Sequence, residues 1–165
     1  MTDATRSAGI ERPHESASVA RAAAKGAFAG LAATAAIALA GRRETGSAIA
    51  PINATSHVLW GDEAGATNAV DVKHTVTGLL LNGGAGVFWA LVHELLLTRL
   101  ARRDRAAAIA SGAAVAGLAY VVDYHLVPRR LSPGWELRLS PRSVWLGFVA
   151  LGAALSVAAL MRARR

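Results

Sequence analysis

Four long apolar runs, each bounded by arginines, organise the chain. The first covers Gly26 to Gly41 and extends backward past Lys25 through Ala22 to Ala24. The others run from about His74 to Thr98, Ala106 to Val127 and Ser143 to Met161. A helix crossing a hydrocarbon core of about 30 Å needs roughly 20 mostly apolar residues. The pattern therefore predicts membrane-crossing helices at about 22–41, 73–98, 106–127 and 141–162. A buried hairpin of a soluble protein would explain one such run, since three of the four are rich in alanine. Four of them in 165 residues point instead to an all-α, integral membrane four-helix bundle. Residues 1–17 are polar, contain Pro13 and lack an apolar period, so a disordered tail is expected before a transmembrane domain over 18–165. Ala38-Leu39-Ala40 matches a signal-cleavage pattern, but Ala-x-Ala recurs by chance in any alanine-rich helix. Segment one is read as an uncleaved helix.

Composition sharpens this picture. Charged residues are 18% of the chain, against about 25% in ordinary soluble domains, and hydrophobic ones are 53%. The absence of cysteine excludes disulfides, cysteine-based zinc sites, iron–sulfur clusters and thiol catalysis. The net charge of +7 would suit nucleic acid only if gathered on one exposed face. The arginines lie between apolar runs instead, so the bilayer is the expected partner and nucleic acid is not. With the N-terminus inside, 11 Lys and Arg fall on the inner side (Arg6 to Lys25, Arg99 to Arg105, Arg162 to Arg165) and 7 on the outer. That bias predicts both termini in the cytoplasm of a bacterial inner membrane.

The outer loop from Arg42 to Lys73 carries its own pattern. Pro51 to Trp60 reads as a short helix with Pro51 in its first turn and Gly61 ending it. Ile52, Thr55 and Leu59 share one face, which predicts a helix lying at the membrane interface or tucked between helix ends. Asn53-Ala54-Thr55 also matches the glycosylation sequon, a pattern common by chance. Ser140 and Pro141 mark the start of the last helix. Ser132-Pro133-Gly134 forms a turn, and Trp60, Trp135 and Trp145 suit interfacial anchoring.

Segment two is the richest in possible chemistry. His74, Gly78, Asn82, Gly86, Trp89 and His93 recur at helical spacing, giving one small and polar face from end to end. Leu79, Leu80, Val87, Leu91 and Leu95 fall elsewhere. Such a face predicts a close packing seam, with Asn82 hydrogen-bonding across it, or else the lining of a cavity or a path between protomers. Gly26-x-x-x-Gly30 in segment one is a second small-residue seam, within the chain or in a homo-oligomer.

Ionisable groups in membrane segments are costly and are candidate functional residues. Asp123 stands near the outer end of segment three, on a face with Gly112, Ala116 and Ala119. His57, His74, Asp123 and His125 would all lie near the outer surface. Imidazole with carboxylate suits zinc or another divalent ion, and two histidines on facing helices suit a haem iron. No tight ligand spacing marks either site, and the default reading is interfacial histidines without a cofactor. Glu94, beside His93, is expected in an ion pair near Arg99 and Arg102. No phosphate-binding loop or nucleophile motif is present, and no catalytic residue is assigned.

The runs Pro51 to His57 with Trp60-Gly61-Asp62, and Val122 to His125 through Arg129 to Glu136, resemble small four-helix inner-membrane proteins of Gram-negative bacteria. The resemblance covers roughly residues 25 to 160. It implies the four-helix membrane fold and brings no function. The sequence leaves three readings: a non-enzymatic structural or interaction protein, a small transporter or channel component, and a metal- or haem-binding membrane protein.

Overall fold

The computed structural model describes residues 13–163, and every regular element among them is helical. The long helices are α1 (Pro13–Thr45), α4 (Thr77–Ala101), α5 (Arg105–Val121) and α6 (Pro141–Ala163). Two short helices, α2 (Ala50–Thr55) and α3 (His57–Trp60), lie in the first long loop. Helix α1 starts at Pro13, so it takes in the last five residues of the tail expected to lack structure. Residues 1–12 of that tail lie outside the described residues. Four segments are long and apolar enough to cross a membrane: Ala20–Thr45, Val72–Leu97, Arg105–Leu126 and Pro141–Arg162. At 1.5 Å per residue even the shorter ones, 22 residues each, reach about 33 Å.

Helix α1 packs on α4 and α6, and α5 packs on α4 and α6. Both long loops, 46–71 and 127–140, therefore fall at one end of the molecule, the loop end. Small residues set the helix spacing. A Cβ added at Gly86 would stand 2.6 Å from the Gly26 carbonyl oxygen and from the Gly30 Cα, so α1 and α4 touch backbone to backbone. Gly112 and Gly152 bring α5 and α6 equally close. The core between them holds Ile37, Trp89, Val115, Trp135, Phe148, Leu151 and Leu155. The outward faces carry exposed Leu31, Leu39, Leu80, Leu95, Leu96, Ile109, Leu146, Val149 and Met161.

The loop end is closed by α2. All six of its residues are buried, against α1, α4 and the turn at Asp62–Ala66. The helix lies between the helix ends, and its lone polar side chains find partners there, so it is not a surface-lying amphipathic helix. Ser56 interrupts the expected Pro51–Trp60 helix, which turns Leu59 out to solvent while Ile52 and Thr55 stay buried. Gly61 ends α3 at φ 85°, as its position suggested. Glu44, at the end of α1, receives hydrogen bonds from the Ser140 backbone N–H (2.7 Å), the Ser140 hydroxyl (2.8 Å) and the Ser143 hydroxyl. A carboxylate thus satisfies the Ser140 N–H at the start of α6 and ties that helix to α1.

Candidate functional site

Asn53 organises the cap. Its Nδ2 donates to the carbonyls of Thr67 (2.8 Å) and Ala69 (2.9 Å), and its Oδ1 accepts from the Thr75 hydroxyl at 2.7 Å. This fully buried amide fastens the irregular segment 67–71 to α2, because backbone groups without a sheet or helix need such partners. The role is internal, where the sequon reading would have placed Asn53 at a surface. Asp71 caps the next turn by accepting from the His74 backbone N–H and ring Nδ1. Those bonds, the backbone one first, hold the Asp71 carboxyl below its usual range.

Beneath the cap lies a cavity of about 210 Å³. It is lined by Gly30 and Ala33 of α1, Thr55 of α2, Asn82, Gly86 and Trp89 of α4, Asp123, and Phe148 and Leu151 of α6. Leu131, Ser132, Pro133 and Trp135 bound it on the loop side. Asp123 is the lone ionisable side chain among these lining residues. Two five-residue stretches, Val72–Val76 and Val122–Leu126, are wound as wider π turns at the loop ends of α4 and α5. Such turns re-aim side chains, and the second one carries Asp123. Trp89 of α4 lines the same cavity as this carboxylate. Across the cavity the Trp135 indole donates to the Thr55 hydroxyl at 3.1 Å, and that hydroxyl lies 3.4 Å from Asn82 Oδ1. Asn82 is buried, and its Nδ2 has no hydrogen-bond partner. A buried amide N–H left unpaired costs about 1–3 kcal/mol, and in a native protein it calls for an explanation.

The stripe on α4 faces inward throughout: Gly78, Asn82, Gly86, Trp89 and His93 are all buried, while Leu79, Leu80, Leu91 and Leu95 are exposed. Gly78 and Gly86 are covered by α2 and α1 of the same chain. It serves as seam and cavity wall together. His93 lies below the cavity, toward the other end. Its Nδ1 meets the Lys25 ammonium at 2.6 Å and its Nε2 meets the Ser111 hydroxyl at 3.0 Å. Since the ammonium can only donate, Nδ1 accepts and Nε2–H donates. Lys25 therefore turns inward, toward α4. Glu94 pairs with Arg162 and, at 3.7 Å, with Lys25, both on other helices, where Arg99 and Arg102 were expected.

The four candidate metal ligands stand apart. His57 is buried, with Nε2–H donating to the Ser132 carbonyl (2.9 Å) and Nδ1 facing Asp62 at 3.3 Å. His74 bonds Asp71, His125 is exposed beside the Tyr120 ring, and Asp123 faces the cavity. No group of three or more His, Asp or Glu side chains able to hold a metal ion exists among the described residues. One cavity residue lies where the sequence reading did not put it. Trp135 was expected at the interface, yet it is buried with its indole bonded to Thr55. Gly134, at φ 76° and packed on Ala54 and His57, swings it inward. The Ser132-Pro133-Gly134 pattern marks the turn but not the direction in which it sends Trp135.

These features define a helical protein with four segments able to cross a membrane and one internal cavity built around a carboxylate. No protein-family model, no functionally described protein and no solved structure matches the chain.

Proposed function

We propose that the protein is a multi-pass, four-helix bundle of a bacterial inner membrane, with both termini in the cytoplasm, that binds a small polar cation in the cavity beneath its cap. The binding step fits the transporter-component reading, with the path inside one chain. The observation that carries it is that Asp123 and the unpartnered Asn82 amide line the same mostly apolar and aromatic cavity. A carboxylate in a membrane segment is costly unless it has work to do there. Trp89, Trp135 and Phe148 supply ring faces, which attract cations, and Asp123 supplies the counter-charge. Asn82 asks for an acceptor oxygen on the same ligand. The volume, about seven waters' worth, is below the 300–1,000 Å³ typical of drug-sized sites and fits a small amine with one oxygen. The apolar outward faces support the membrane setting, since soluble monomers rarely expose such continuous patches.

Ethanolamine is the simplest probe. Four heavy atoms bind no tighter than about −6 kcal/mol, so a calorimetric titration of detergent-purified protein should be run to millimolar concentration. Saturable binding is expected, weakened at least about tenfold in Asp123→Asn. Equal binding to both proteins would refute the site. Reporter fusions at residue 66 and at the C-terminus test the orientation: a periplasmic signal from the C-terminus would invert it.

A further inference from the structure

The end opposite the cap holds a second and larger cleft, of about 590 Å³. Among the described residues four cations line it, Arg21 and Lys25 from α1, Arg102 just past α4, and Arg162 from α6, against a single carboxylate, Glu94. Glu94 is engaged by Lys25 and Arg162, so the cleft keeps a surplus of three positive charges. Lys25 is nearly buried and is held on His93, which fixes an ammonium at the inner wall where a mobile surface lysine would move away. Arginines at the mouth and a held lysine at the back make a graded anion site, because guanidinium groups grip phosphate oxygens in pairs while an ammonium acts as a point charge. The wall is otherwise apolar, with Met161 exposed at its edge and Leu95 and Leu96 exposed on the adjoining face of α4.

We propose that this cleft binds a phosphate ester, its charged group among Arg21, Lys25, Arg102 and Arg162. An anionic phospholipid headgroup would place its acyl chains along Leu95, Leu96 and Met161. Basic clefts between membrane helices on the cytoplasmic side recognise such headgroups. The placement at a membrane surface rests on the membrane reading above, which carbonate extraction of membranes tests separately. The anion site itself does not depend on the cation cavity.

The test is native mass spectrometry of the full chain, purified in mild detergent, with added phosphatidylglycerol, phosphatidylcholine or inorganic phosphate. The variant Arg21→Gln/Arg102→Gln removes two charges and leaves the Lys25–Glu94–Arg162 cluster in place. Arg103→Gln/Arg105→Gln removes two exposed charges at the same end but outside the cleft. One phosphatidylglycerol retained per chain is expected, reduced about tenfold in the first variant, unchanged in the second, and not matched by phosphatidylcholine. Retention of inorganic phosphate with the same variant pattern, but not of the lipid, would keep the phosphate chemistry and assign a free phosphate. Equal losses in both variants, or no retention of either anion, would overturn the site.

Discussion

The cap and the cavity beneath it are built from the same residue types and end in opposite states. In the cap, Asn53 is buried with both amide N–H groups and its carbonyl oxygen engaged, by Thr67, Ala69 and Thr75. In the cavity, Asn82 is buried to a similar degree with its Nδ2 unpaired, in a space that the Asp123 carboxylate also lines. A satisfied polar group holds a fold together. An unsatisfied one, kept next to open volume, costs stability and is free to meet something else. The difference separates scaffold from site within a few residues of each other.

The largest effect should come from the joint between the two regions. A Cβ at Gly78 would fall onto the Ile52 carbonyl of α2, so Gly78→Leu should dislodge the cap and cost about 3 kcal/mol or more, read as a fall in Tm. Gly84→Leu, on a part of the same helix that meets nothing, should leave Tm nearly unchanged. Next, Asn53→Ala should cost about 2 kcal/mol by removing three hydrogen bonds, of which the one to Thr75 is fully buried. Asn82→Leu should cost less than about 1 kcal/mol without ligand, because it also removes an unpaired N–H. Equal losses at the two asparagines would erase the contrast.

The smallest effect concerns pH. Asp71 has its carboxyl pKa held down in the folded chain, so its contribution is present above the unfolded value near 4 and is lost as pH falls through the lower folded one. Asp71→Asn should thus unfold at a less pH-dependent temperature below about pH 4, with little change at pH 7. An identical acid profile in both proteins would remove Asp71 from the account.

Much of this was legible in the chain because it rests on period and length. The α4 stripe, the Gly26–Gly30 seam, the start of α6 at Pro141 and the stop at Gly61 follow from local spacing and backbone preference. Asp123 stood out as an ionisable residue in an apolar run, although its company was expected to be histidines. What stayed hidden depends on which elements meet. Lys25 turns inward only because His93 and Glu94 wait on another helix. Trp135 points inward because Gly134 adopts a positive φ against Ala54. The burial of α2 follows from the helix ends that surround it, and the cavity takes residues from α1, α2, α4, α6 and two turns, a conjunction no spacing can announce.

The central claim is that the unsatisfied groups of the cavity are ligand groups. The most direct measurement is the thermal shift that saturating ethanolamine gives to the wild-type protein, Asn82→Leu and Asp123→Asn in detergent. The account predicts a rise in Tm for the wild type that is lost in Asp123→Asn and reduced in Asn82→Leu, with ligand-free midpoints of all three staying close. A rise of the same size in all three would contradict it.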